Sequence, residues 1–110
     1  MATFTKGEIV LFPFPYTDMT TAKIRPCLVI SDEMQEDIIL CQITSKNIIK
    51  DTYCVEIKKD ETTKGSLMID SYVRCNMIFT ANKKQIIKKF AKINTQKYEE
   101  IKNTIMKIID

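Results

Sequence analysis

Arg25 is the side chain in this sequence that is best placed to do chemistry. It follows a polar stretch, residues 18–23, and it comes just before the apolar run 27–30. That run and the earlier apolar run 9–12 predict two buried strands joined by an exposed loop, the second covered on both faces. The guanidinium of Arg25 is then fixed at a strand end beside solvent, where its planar, permanently charged donors suit a phosphate group.

The other reactive residue types narrow the chemistry further. The chain contains no histidine, which excludes Ser-His-Asp triads and any mechanism that uses imidazole as the base. Four cysteines, Cys27, Cys41, Cys54 and Cys75, form no CxxC pair. We therefore expect reduced, buried cysteines in a cytoplasmic protein, with no metal site and no cofactor.

Length and composition indicate one globular domain over residues 1–110. Hydrophobic residues make up 45% of the chain and charged residues 28%, and the formal net charge is +3. Neither a signal peptide nor a membrane-spanning segment is predicted. The C-terminal region is rich in lysine, which either forms a solvated face or steers phosphates. These lysines are Lys83, Lys84, Lys88, Lys89, Lys92 and Lys97.

Short strands must position these side chains. Pro13 and Pro15 are expected to end the first strand, because proline has no amide hydrogen to donate to a ladder. A third strand is predicted over residues 38–45. Its period-2 alternation puts Gln42 and Thr44 on one face, which becomes polar toward the end of the strand.

The middle of the chain alternates between short extended pieces and polar turns. A half-buried strand is expected over residues 53–58, followed by a charged surface turn that ends at Gly65. Residues 66–69 and 71–76 read as two more extended pieces. Residues 77–81 are predicted to turn, as one helical turn or a loop.

Residues 85–93 are consistent with a final strand or a short helix, and a strand from Lys88 is favoured. An amphipathic helix follows, capped by Asn94 or Thr95. The apolar stripe of this helix consists of Tyr98, Ile101, Ile105, Ile108 and Ile109. Many short strands followed by one helix that packs on them indicate a mostly β (α+β) fold, a small bent sheet or barrel.

Several short motifs occur in one order along nearly the whole chain. They are Gly7-Glu8-Ile9-Val10, Pro13-Phe14-Pro15-Tyr16-Thr17-Asp18, Arg25-Pro26-x-Leu28-Val29-Ile30-Ser31, Ile43-Thr44-Ser45, Gly65-Ser66-Leu67 and Ser71-Tyr72-Val73-Arg74. This ordered set resembles the MazF/PemK family of bacterial toxins. The resemblance implies an SH3-like barrel with a C-terminal helix, usually a homodimer. It also implies a metal-independent endoribonuclease that cleaves single-stranded mRNA and is inhibited by a cognate acidic antitoxin.

The resemblance also assigns roles to individual residues. Arg25 matches the family's catalytic arginine, and Thr44 matches the hydroxyl residue of its Thr-Ser pair. Arg74 matches a second basic position. Asn76 stands where other members often carry aspartate, and because asparagine has no carboxylate, it cannot be a general base. The expected RNA-binding residues are Tyr16, Thr17, Asp18, Lys23, Ser45, Lys46, Tyr72, Arg74 and Asn76.

Elementary chemistry agrees with these roles. RNA supplies its own nucleophile, the 2′-OH, so an enzyme needs only to align it and stabilise the added charge. Arg25 would stabilise that charge and Thr44 would hydrogen-bond a non-bridging oxygen, giving the family's 2′,3′-cyclic phosphate and 5′-OH. The general base stays open: either the environment shifts the pKa of the arginine, or catalysis is mostly electrostatic. Phe14, Tyr16 and Tyr72 either stack on bases or pack in the core.

Each role has a structural alternative. Arg25 could form a surface ion pair, Thr44 could satisfy a turn, and Arg74 could pair across strands. Two other functions compete with a nuclease: a non-cleaving RNA- or protein-binding SH3-like module, and a gyrase poison of the CcdB type. The gyrase poison is disfavoured because proteins of that type act through a C-terminal end that contains tryptophan, and this chain has no tryptophan. Asn76 keeps the first alternative open.

Overall fold

The computed structural model describes residues 3–15, 22–45 and 52–110. The strands are β1 (Glu8–Pro15), β2 (Ala22–Val29), β3 (Asp37–Thr44), β4 (Cys54–Ile57), β5 (Thr62–Gly65), β6 (Ser71–Asn82) and β7 (Lys88–Ile93). A 3-10 turn (Lys83–Gln85) precedes β7, and one helix, α1 (Thr95–Ile109), ends the chain. The predicted class, mostly β with a C-terminal helix, is confirmed.

The strands form one curled antiparallel sheet in the order β4-β6-β3-β2-β1-β7-β5. The long strand β6 pairs with both β3 and β4. Its pairing with β3 is irregular, because Cys41 lies opposite Ile78 whereas Ile43 lies opposite Val73. Residues 74–77 of β6 are therefore matched on β3 by Gln42 alone. Such an excess of residues bends a strand and turns its side chains out of the regular alternation.

Both faces of the central strands are covered. One buried cluster includes Ile9, Leu28 and Cys41, and the other includes their sequence neighbours on β1 and β2, Val10 and Cys27. A strand buried on both faces has no polar alternation, which is why residues 27–30 form a continuous apolar run. The sequence-based prediction of a doubly covered second strand is confirmed.

The prediction that Pro13 and Pro15 end the first strand is wrong for Pro13, which lies inside β1, and is confirmed for Pro15, the last residue of the strand. Strand β1 continues to Pro15, which lies opposite Ala22. The β1–β7 ladder stops at Leu11, whose carbonyl oxygen accepts from the Ile87 amide at 2.9 Å. Alternate residues point their amides the same way, so both prolines face the edge that β7 leaves open, where a missing donor costs little.

The longer hairpin also corrects the expected position of Arg25. The predicted loop 18–23 overlaps the start of β2 at Ala22, and Arg25 lies inside the strand, opposite Phe12. Arg25 is half-buried rather than at a strand end open to solvent. The backbone around it is consequently held by a ladder on the β1 side.

Two further assignments in the middle of the chain are wrong. Residues 77–81 do not turn; they continue β6, with Ile78 and Ala81 opposite β3. The predicted strand 66–69 is not a strand, whereas the predicted surface turn contains β5. The charged sequence of β5 is tolerated because it is an edge strand. At Gly65 the φ is +66°, and a Cβ there would collide with the Phe90 carbonyl oxygen.

Helix α1 begins at Asn94, one of the two predicted caps. The Asn94 side chain accepts a hydrogen bond from the Lys97 amide at 2.7 Å. Ile101 is fully buried against the sheet, a contribution of roughly 1.5–3 kcal/mol for a side chain of this size. The stripe extends past the sheet, because Ile109 is 67% exposed. Within the described segments, no helix is long and apolar enough to cross a membrane.

Candidate functional site

Two clefts meet where β2 begins and β3 ends. The two-arginine cleft has a volume of about 300 Å³ and is lined by Phe14, Arg25, Gln42, Ile43, Thr44 and Arg74. The adjoining cleft measures about 330 Å³ and is lined by Lys23, Ile24, Arg25, Pro26, Ile43, Thr44, Ser45, Leu67, Met68, Ile69, Ser71 and Phe90. Because Arg25, Ile43 and Thr44 line both, the clefts are neighbours, and the two together are called the groove.

Sheet order explains why these side chains meet. Strands β2, β3 and β6 are direct neighbours, so Arg25, Thr44 and Arg74 come from three adjacent strands. The antiparallel arrangement places the end of β3 beside the first half of β6, with Thr44 opposite Tyr72. Residues 19 and 30 positions apart in sequence are thus brought to one cleft. The structure unites the two predicted catalytic residues with the second predicted arginine.

Arg74 is positioned by the irregular part of β6. Its carbonyl oxygen accepts from the Cys41 thiol at 3.0 Å. Its Nε is buried and has no hydrogen-bond partner in the described part of the chain. A buried, unsatisfied donor costs about 1–3 kcal/mol, so an anion in the two-arginine cleft would remove a penalty that the folded protein carries. This is the strongest sign that the cleft is built for a ligand.

Phe14 forms one wall of the two-arginine cleft. Its ring lies 5.4 Å, centroid to centroid, from both Phe12 and Phe79, in edge-to-face arrangements near 68°. Phe12 and Phe79 are also 5.4 Å apart. Two aromatic contacts hold the Phe14 ring in place, each of them worth about 0.5–1.5 kcal/mol, and the contact between its two partners completes the cluster. Phe14 therefore belongs to the core packing and also borders the groove, so the two predicted roles are compatible.

The groove offers cations and hydroxyls but little acid–base chemistry. Of the described residues, no aspartate or glutamate lines either cleft. Burial raises the pKa of the Cys27 thiol to about 12, against a smaller opposing effect of the Arg25 charge. Burial likewise raises the pKa of Cys41. Both thiols are therefore protonated at neutral pH, which excludes them as nucleophiles.

The adjoining cleft holds two more predicted residues, Lys23 and Ser45, both exposed. It also contains residues that the sequence analysis did not select. Ile24, Met68 and Ile69 line it with exposures of 53%, 89% and 55%. An exposed isoleucine or methionine gives no signal in sequence that separates it from a core residue, so only the structure identifies them. Phe90 also lines this cleft, and the sequence analysis did not select it because it lies in a lysine-rich strand.

The remaining predicted residues lie elsewhere. Tyr72 is half-buried on β6 but does not line either cleft. Burial raises the pKa of its phenol, and the Glu56 and Asp70 charges raise it further. Asn76 is exposed and also lies outside the clefts. Tyr16, Thr17, Asp18 and Lys46 fall outside the described residues.

The fold and the groove define a small, curled β protein that gathers arginine, lysine and hydroxyl groups in one place. A family model described as "PemK-like, MazF-like toxin of type II toxin-antitoxin system" matches residues 5–109. The chain therefore belongs to this toxin family, and the resemblance seen in the ordered motifs is confirmed. The comparison with curated protein sequences finds no match.

Solved structures share the fold at low sequence identity. A MazE–MazF complex from Deinococcus radiodurans has a TM-score of 0.78 at 15% identity, covering 99% of this chain and 97% of that one. An endoribonuclease in complex with its cognate antitoxin, from a mycobacterial species, has a TM-score of 0.74 at 14% identity, covering 99% and 95%. The Mycobacterium tuberculosis toxin MazF-mt6 has a TM-score of 0.69 at 15% identity, covering 92% and 96%. At these identities the likeness concerns the fold.

Proposed function

We propose that this protein is a toxin that acts as a metal-independent endoribonuclease on single-stranded mRNA. The observation that carries the proposal is the two-arginine cleft, where Arg25 and Arg74 meet Thr44 and the buried Nε of Arg74 has no partner among the described residues. The family membership supports a toxin, and the names of the similar solved structures support an endoribonuclease.

The proposed reaction uses the substrate's own nucleophile. The 2′-oxygen bonds to the adjacent phosphorus, the bond from phosphorus to the 5′-oxygen breaks, and the products are a 2′,3′-cyclic phosphate and a 5′-OH. Arg25 and Arg74 neutralise the extra charge on the non-bridging oxygens, and the Thr44 hydroxyl donates a hydrogen bond to one of them. The half-buried setting of the two arginines makes their charges more effective than in open water.

Of the two options for proton transfer, the cleft favours mostly electrostatic catalysis. Its described lining contains no carboxylate, histidine or cysteine. Burial raises the pKa of the Cys27 thiol to about 12, so this thiol is protonated at neutral pH. The proton of the 2′-OH is then lost to solvent, and the leaving 5′-oxygen takes a proton from solvent. Asn76, exposed and unable to act as a base, is assigned to hydrogen bonding with a base or ribose.

The RNA strand is proposed to run along the groove. Lys23 and Ser45 would contact the phosphates or riboses on one side of the cleavage point. Tyr72 sits beside the groove on β6 and is assigned to stacking. Four further predicted contacts retain their proposed role in RNA binding. They are Tyr16, Thr17, Asp18 and Lys46.

The cognate antitoxin is proposed to be an acidic segment that occupies the same groove. The cations of the clefts would attract its carboxylates, and the exposed apolar side chains Ile24, Met68 and Ile69 would receive its apolar anchors. Occupation of the groove by this segment would exclude RNA. Because mRNA and the antitoxin are the proposed partners, the cytoplasm is the proposed site of action.

A homodimer is proposed from the uncovered end of α1. Met106 and Ile109 are 53% and 67% exposed, beside a small pocket of about 160 Å³ between α1 and Ile30. A second copy that covers this face would remove the exposed apolar area from water. Light scattering on the purified protein is expected to give twice the monomer mass of 12.8 kDa, and a monomer at micromolar concentration would contradict the dimer.

The decisive experiment is cleavage of a long single-stranded RNA in EDTA. We expect the parent to cut at a few sites, leaving cyclic phosphate and 5′-OH ends, and Arg25→Ala to abolish cleavage. Lys107→Ala, which removes one charge from the far end of α1, is the matched control. Intact RNA with the parent protein would overturn the nuclease. RNA that is bound but uncut would favour the non-cleaving binding module.

A further inference from the structure

A cluster of lysines lies next to the groove and is not explained by the proposed reaction. Lys64 on β5 and Lys89 and Lys92 on β7 line a shallow depression of about 220 Å³, together with Glu8, Phe90 and Ala91. We call Lys64, Lys89 and Lys92 the lysine patch. All three belong to the last two strands on one side of the sheet.

An irregularity in β7 creates the patch. Residues 89 and 92 are an odd number apart, so a regular strand would point them to opposite faces. The register against β1 shifts, however, with Ile9 opposite Ala91 and Val10 opposite Lys89. Phe90 is thus an extra residue on β7, and the bulge restores Lys89 and Lys92 to the same face. The bulge in the backbone therefore brings these positive charges together, in addition to the high number of lysines in this part of the sequence.

The charges of the patch are only partly balanced. Glu8 is its single carboxylate, and its Oε2 lies 3.2 Å from the Lys89 Nζ. Lys64 lies directly opposite Lys92, a like-charge pair that destabilises a sheet. Three of the other four lysines predicted to crowd this region differ, because Lys83, Lys84 and Lys97 each pair with a glutamate outside the patch. A net positive patch that opposes folding suggests an anionic ligand.

Phe90 connects the patch to the groove. It lines both the adjoining cleft and the depression of the patch. A strand of RNA that leaves the adjoining cleft would therefore pass Phe90 and reach the three ammonium groups. Phe90 is half-buried and packs against the buried cluster that includes Ile9 and Leu28. An aromatic residue at this point can offer a stacking surface to a base.

We propose that the lysine patch binds backbone phosphates of the RNA on one side of the cleavage point, extending the substrate path beyond the groove. This inference rests on the proposed function. RNA is favoured over an acidic peptide because the patch offers mainly ammonium groups, whereas the exposed apolar anchors lie in the adjoining cleft. Lysines that contact a polyanion act by counterion release, which makes their contribution measurable as a salt dependence.

The test compares a triple variant, Lys64→Gln/Lys89→Gln/Lys92→Gln, with a control that loses the same charge elsewhere, Lys84→Gln/Lys102→Gln/Lys107→Gln. Binding is measured with 2′-O-methyl RNA, which cannot be cut, in a short form that fills the groove and in forms extended at either end. Each lysine that contacts a phosphate of single-stranded RNA contributes about 0.7 to the slope of log affinity against log salt concentration. For the longer RNA, the slope of the triple patch variant should therefore be shallower than the parental slope by about 2. The control should keep the parental slope.

Binding of the short RNA should be the same for the patch variant and for the control. Lys64→Glu, which changes an exposed residue without an ion pair among the described residues, tests the patch without disturbing Glu8, and should weaken binding of the long RNA only. The inference would be overturned if the triple variant and Lys64→Glu both kept the parental salt slope. It would also be overturned if these variants lost binding to an acidic peptide but not to the long RNA. The 2′-O-methyl RNA reports binding without cleavage. If the proposed nuclease activity is wrong, that result appears in a separate assay, as natural RNA that remains uncut.

Discussion

Arg74 allows a prediction in which activity and stability move in opposite directions. Replacing it by methionine keeps most of the buried stem but removes the guanidinium, including the Nε that has no partner in the described structure. Relief of an unsatisfied buried donor is worth about 1–3 kcal/mol, so the free energy of unfolding should rise by that order. For a domain of this size each kcal/mol raises Tm by roughly 4–8 °C.

Cleavage should fall in the same variant. If Arg74 stabilises the charged transition state, loss of one such donor lowers kcat/KM by about 10²–10³, or roughly 2.7–4 kcal/mol. Arg74→Lys retains a charge but not the planar fork, so its activity should lie between those of the parent and Arg74→Met. The assays are thermal and denaturant unfolding beside cleavage kinetics of a single-site RNA.

The opposite pattern would refute this reasoning. If Arg74→Met unfolds more easily and cuts RNA at the parental rate, the guanidinium serves the fold and not the substrate. Loss of both stability and activity would also contradict the argument, because a group that awaits a ligand should not be needed for folding. Leu11→Met is a control for the side chain introduced, since residue 11 is half-buried on β1 and lines neither cleft.

Two further predictions concern neighbours of Arg74. Thr44→Val keeps the shape of the side chain and removes the hydroxyl; cleavage should fall by about tenfold or more, the equivalent of one hydrogen bond of roughly 1.4 kcal/mol, as measured by single-turnover kinetics. An unchanged rate would leave Thr44 as a strand-end residue. The pKa of Cys27 is raised from 9.0 to about 12 in the folded protein, so above pH 9 the unfolded chain loses a proton that the folded chain keeps. Stability should therefore fall between pH 9 and pH 12, by up to about 1.4 kcal/mol per pH unit from this thiol. Cys27→Ala should show a shallower fall in denaturant titrations across that range, and identical slopes would disprove the assignment.

Sequence patterns predicted the parts of the fold that depend on local periodicity. The alternation around Val73 and Cys75 predicted their burial, and the polar face of that segment led to Arg74. The cap at Asn94 and the stripe around Ile101 predicted the helix. In each case neighbouring residues carry the information, because one face must meet the core and the other solvent.

The features of the fold that the sequence did not predict depend on strand pairing between residues that are distant in sequence. Pro13 was expected to end a strand, since nothing local shows that β7 stops at Leu11 and leaves an open edge. Strand β5 reads as a charged turn and becomes extended only because β7 pairs with it. The patch around Phe90 depends on a bulge, and a bulge has no signal in a period-2 pattern.

The open edge of β1 has a consequence for how other chains can attach to this protein. Residues 13 and 15 offer no amide hydrogen along that edge, so an approaching strand would find acceptors without the alternating donors that a continuous ladder requires. Growth of the sheet from this edge of β1 is thereby disfavoured. The two strands at the ends of the described sheet, β4 and β5, are each only four residues long, so a partner that adds a strand at either end finds only a short ladder.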